Sequence, residues 1–93
     1  MQNRITREKL DKYARITSTA LEEARKKIAK GKEKEAKEII EMASNYISDA
    51  GHFKEKKDFV NAFAALNYAH GWLDSGARLG IFDVKDNKLF TVK

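Results

Sequence analysis

Three times along the chain, apolar side chains return every three or four residues, the period of an α-helix that buries one face. Over residues 7–29 the stripe is Leu10, Tyr13, Ala14, Thr17, Ala20, Leu21, Ala24 and Ile28, with Arg15, Glu22 and Lys26 opposite. Over 33–55 it is Ala36, Ile39, Ile40, Ala43, Tyr46, Ile47, Ala50 and Phe53. Over 59–79 it is Phe59, Ala62, Phe63, Leu66, Ala69, Leu73 and Ala77, and Ala65, Tyr68, Trp72 and Leu79 widen it to a second side. A helix apolar over so much of its girth is expected to touch two partners, or one partner and another subunit. No proline interrupts any of the three segments, so no helix need kink.

The breaks carry helix-end chemistry. Thr6 and Asp58 stand where a side-chain oxygen can accept from an unpaired backbone N–H at a helix start. Gly31 follows a basic run and is expected to end the first helix in the left-handed conformation. Short breaks favour antiparallel neighbours. The expected fold is therefore all-α, a single domain over 1–93 built as an antiparallel up-down-up three-helix bundle. Beyond Gly80 the helical period stops. Ile81, Phe82 and Val84, then Leu89, Phe90 and Val92, are β-prone, with Asp86 and Asn87 as a turn between them. Residues 80–93 are expected to form a short C-terminal β-hairpin or extended tail, ordered only if it packs on the helices.

Composition narrows the function classes. The chain has 93 residues and no cysteine, which removes disulfides, thiolate metal sites and cysteine nucleophiles. No apolar run approaches the ~18 residues of a membrane span, and charges fill the N-terminal stretch where a secretory signal would be apolar. A cytoplasmic, unprocessed protein is expected. Charged residues make up 35% of the chain, against roughly 25% in an ordinary soluble domain. That excess leans towards a thermophile, where ion-pair networks gain value. The net charge of +5 resides in residues 1–57, most densely at Arg25, Lys26, Lys27, Lys30, Lys32, Lys34 and Lys37.

The stretch from Tyr46 to Val84 carries a recognisable pattern. Its most distinctive block is Ala65-Leu66-Asn67-Tyr68-Ala69-His70-Gly71-Trp72-Leu73-Asp74-Ser75-Gly76-Ala77-Arg78-Leu79-Gly80. This resembles the small family called domain of unknown function 357, with only the helical pattern matching over residues 1–40. The resemblance implies an archaeal source and a short helical bundle, and it implies no activity.

Five residues of the third helix are candidates for binding. Tyr68 and Trp72 are aromatic anchors of the kind interfaces use, and they suggest a protein partner or a homodimer. His70 and Asp74 are four apart, so the carboxylate can orient the imidazole. Arg78, four further on, would complete a small-ligand or enzymatic site. The competing readings are a core tryptophan, a hydrogen-bonded histidine joining helices, and a ladder of i,i+4 pairs. Gly71 and Gly76 each cost a helix up to about 1 kcal/mol relative to alanine, which suggests close approach of another backbone or of the tail. Nucleic acid is the alternative partner, through Lys26, Lys27, Lys30, Lys32 and Lys34. No nucleophile–base pair, paired carboxylates, metal-ligand set or Gly-rich phosphate loop emerges, so neither catalysis by this chain alone nor a cofactor is expected.

Overall fold

The computed structural model describes residues 4–85 and 89–90. Three helices make up the architecture: α1 (Arg7–Lys26), α2 (Glu33–Glu55) and α3 (Phe59–Arg78). Among the described residues there is no strand beyond a single antiparallel bridge between Ile28 and Phe82. The α3 helix packs against both others, most extensively against α2. The molecule measures 44 × 25 × 16 Å.

Local chemistry sets most helix ends. The Thr6 hydroxyl oxygen accepts from the Lys9 N–H at 3.1 Å, and the Asp58 carboxylate accepts from the Asn61 N–H at 3.2 Å. Each satisfies a backbone donor that the first helical turn leaves without a partner. At the far end of α3, Gly80 adopts φ +75°. The Ile81 N–H then donates to the Gly76 carbonyl and the Gly80 N–H to the Ala77 carbonyl. That pair of bonds closes the helix and turns the chain back onto the bundle.

The first helix ends differently from the sequence expectation. It stops at Lys26 rather than near residue 29, and Gly31 (φ +87°) lies in the turn leading to α2 rather than capping α1. Residues 27–29 leave the helix because their backbone has other partners. The Ala29 N–H donates to the Ile81 carbonyl at 2.9 Å, and the Asp83 N–H to the Lys27 carbonyl at 2.7 Å. The tail's first β-prone segment thus pairs with the end of α1. The expected hairpin turn at Asp86 and Asn87, and the last half of its second arm, lie outside the described residues.

The tail supplies much of one half of the core. Around α1, α2 and α3 at that end, the buried helical positions are largely alanine: Ala20, Ala24, Ala36, Ala43 and Ala69. Stripes of methyl groups leave space between helices, and Ile81, Phe82, Val84 and Phe90 fill it. Phe82 is 1% exposed and is the largest fully buried side chain. The other half is closed by the helices themselves, through Leu10, Ala50, Ala62, Ala65 and Leu66.

Candidate functional site

The five candidate residues of α3 separate onto two sides of the helix. His70 faces inward. Its Nε2 lies 2.8 Å from the Leu89 carbonyl, which can only accept, so Nε2 carries the proton. Nδ1 is then an acceptor, and the Thr17 hydroxyl donates to it at 3.2 Å. Thr17 is fully buried, so this bond satisfies a hydroxyl that water cannot reach. One imidazole therefore ties α1, α3 and the tail together, and both ring nitrogens are committed within the chain.

Around that ring, Tyr13 stacks at 5.8 Å and 20°, and Tyr13 in turn meets Phe63 edge to face at 4.9 Å. Asp74 Oδ1 is 3.8 Å from His70 Nε2. Burial, and secondarily the Asp74 charge, push the Tyr13 phenol above its ordinary range. Arg78, one turn beyond Asp74, is exposed. Among the described residues, no group of three or more His, Cys, Asp or Glu side chains could hold a metal ion.

Tyr68 and Trp72 face the other way. Tyr68 is 63% exposed and lies stacked on Tyr46 of α2 at 5.3 Å and 24°. Trp72 is half-buried, one edge against the tail-filled core. Between them the helix surface dips, and a groove of about 380 Å³ is lined by Asn67, Tyr68, Gly71, Trp72 and Ser75. The floor of the dip is Gly71, where a Cβ would meet no heavy atom within 4 Å. The close approach expected of both glycines therefore occurs at Gly76 alone, where the Phe82 ring comes to 2.4 Å of a Cβ position.

The sequence reading leaves out Val60, 68% exposed, and places Leu79, 72% exposed, with Tyr68 and Trp72 on the second side of α3. At 100° per residue, both fall on the same side as Gly71 and Tyr68. For Val60 that spacing was a readable signal, masked by the more hydrophobic stripe beside it. Thr17 as the partner of His70 had no local signal at all.

The basic residues gather at the opposite end of the bundle from the α2–α3 turn. Lys26, Lys27 and Lys30, with Ile28, Phe82 and Asp83 among others, line a groove of about 600 Å³. Lys32 and Lys34 are exposed nearby but do not line it. Lys27 pairs with Glu23 at 3.8 Å.

Residues 12–82 match the family described as protein of unknown function (DUF357). The chain belongs to DUF357. The match reaches back into α1, further than the block in α3 that carries the resemblance, and stops at Phe82, the tail residue packed on Gly76. The DUF357 region thus takes in all of α2 and α3 and the first turn of the tail. Neither a curated protein nor a solved structure matches the chain. Among the described residues no helix is long and apolar enough to cross a membrane.

Proposed function

We infer that this DUF357 protein is a non-catalytic interaction module that presents the outer side of α3 to a helix of a protein partner. The observation that carries the reading is the distribution of exposed apolar surface. Among the described residues, the large apolar side chains left mostly open are Val60, Tyr68 and Leu79, and all lie along α3 or at its cap. In a chain so rich in charge, a strip of this length with Arg78 as its one charged residue supports a surface that a partner covers. An antiparallel up-down-up course of the helices belongs to the same reading. It is supported by the ion pair between Lys54, near the end of α2, and Asp11, near the start of α1. A cytoplasmic setting in an archaeal thermophile is also part of the proposal, supported by the charge-rich, cysteine-free composition and the family resemblance.

The test is a photo-crosslinking side chain placed at Ser75, on the strip, or at Glu22, on the outer side of α1, in cells expressing the full chain. Discrete polypeptide adducts from Ser75 and none from Glu22 are expected. A Ser75 probe that captures no polypeptide would remove the interaction reading.

A second reading is nucleic-acid binding through the basic groove, favoured by three lysines lining one concavity. Two features weigh against it: Asp83 shares the groove, and Glu23 already partners Lys27. Retardation of RNA or DNA that weakens steeply with salt, and is lost with Lys27→Glu and Lys30→Glu together, would promote it.

A further inference from the structure

We propose that the cleft between α1 and α2 binds a medium-chain carboxylate, an apolar chain of about six to eight carbons with one anionic head. The cleft lies away from the outer strip of α3, so it stands or falls independently of the interaction reading above.

The two halves of the bundle differ in how the space between helices is filled. Of the three helix pairs, α1 and α2 touch each other least. At the tail end, Ile81, Phe82, Val84 and Phe90 occupy the gap that the alanine stripes leave. At the other end the facing residues are just as small, with Ala14 on α1 and Ala50 and Gly51 on α2, and the described tail residues do not pack there. Among the described residues a cavity of about 200 Å³ remains. Leu10 and Ala14 form one wall, Ile47, Ala50 and Gly51 the other, and Leu66 of α3 the floor. None of these residues carries a polar side-chain atom. A Cβ at Gly51 would meet no heavy atom within 4 Å, so its bare backbone widens the cleft. An apolar cavity stays dry and takes apolar guests, and about 150 Å³ is enough for benzene. The larger volume here suits a short alkyl chain.

Charge at the mouth selects the head. The two charged lining residues, Lys54 of α2 and Asp11 of α1, form an ion pair across it. Arg7 and Arg15 stand one turn to either side of Asp11. The hydrogen bond from Lys54 first, and then the charges of Lys54, Arg7 and Arg15, hold the Asp11 carboxyl below its ordinary range. Three cations thus act on one carboxylate. A guest that brings a second carboxylate complements them, whereas an ammonium head adds to the excess. Lys54 and Asp11 are both about a third exposed, so Lys54 can turn from Asp11 to the guest while water still reaches both charges.

The walls favour a small molecule over a peptide. Both are helices whose backbone groups are already paired, so the cleft offers nothing to hold an extended strand. A partner helix needs anchor pockets spread over two turns, and this cavity is a single short one.

The full chain, isotope-labelled, is titrated with butanoate, hexanoate, octanoate, decanoate and octanol, and followed by NMR. Saturating shifts are expected at Ala14, Ala50 and Gly51, with Tyr68 and Trp72 unmoved. Each added methylene is expected to tighten binding about fourfold as far as octanoate. Decanoate is expected to bind no more tightly, because the cavity is then full. Gly51→Leu places its own side chain in the cleft. It is expected to weaken octanoate about tenfold or more, with circular dichroism unchanged and a raised melting temperature. Lys54→Gln is expected to weaken octanoate about three- to fivefold and leave octanol unaffected. The proposal is overturned if about 10 mM octanoate gives no saturable shift in the cleft, if affinity keeps rising through decanoate, or if Gly51→Leu binds as wild type does. Equal effects of Lys54→Gln on octanoate and octanol would overturn the anionic head.

Discussion

Gly71 and Gly76 stand on the same helix, little more than a turn apart, and meet opposite surroundings. At Gly76 the Phe82 ring occupies the space a side chain would need, with Ile39 close behind. At Gly71 there is nothing within reach. The same contrast separates the two sides of α3. Inward, His70 is hydrogen-bonded to Thr17 and to the tail, and Leu73 is fully buried. Outward, Tyr68 and Leu79 stand open. One side of the helix is explained by this chain alone, and the other is not. Gly71 shares this openness with Gly51 of α2, where a Cβ would also meet no heavy atom within 4 Å.

The contrast can be broken first at its strongest point. Phe82→Ala removes the largest buried side chain and is expected to cost about 3–5 kcal/mol in urea unfolding. A loss under 1 kcal/mol would mean that the tail is not part of the core. Next is Gly76→Ala. Its methyl group would overlap a ring that has nowhere to go, and the expected cost is about 1–3 kcal/mol, since overpacking outweighs the gain in helix propensity. Gly71→Ala is expected to have the opposite sign, raising monomer stability by up to about 1 kcal/mol. If the two glycine variants shift stability in the same direction, the distinction drawn between the two sides fails.

The smallest effect concerns pH. Burial, and then the Asp74 charge, raise the Tyr13 phenol above its ordinary range. A group raised on folding contributes stability that is fully present below the unfolded value, about pH 10 for a phenol. That contribution is lost as pH climbs through the higher folded value. Wild type should therefore lose more stability than Tyr13→Phe in alkaline melts, with the two parallel at neutral pH. Alkaline curves that also run parallel would mean that Tyr13 ionises as readily folded as unfolded.

Features that depend on near neighbours could be read in advance. Thr6 and Asp58 cap the helices they precede because the donor they satisfy is three residues away. The inward sides of α1 and α2 follow from their periodicity, with Leu10, Leu21 and Ile39 buried as their stripes require. That His70 joins helices through hydrogen bonds was one of the sequence readings, and the structure has it so. Which groups it joins was not legible, because its closest partners are 53 and 19 residues away. The end of α1 was misplaced for the same reason, because the bonds that draw residues 27–29 out of the helix come from the tail.

The order of apolar and polar residues was enough to determine three amphipathic helices, their starts, and a β-prone segment after Gly80, since each depends on backbone geometry within a few residues. Tertiary structure alone decided that this segment becomes core, because alanine-rich stripes leave a volume whose filling depends on residues distant in the chain. It also decided which glycine of α3 is crowded and which is bare. The helical period places a residue on a side, but only packing determines what stands opposite it.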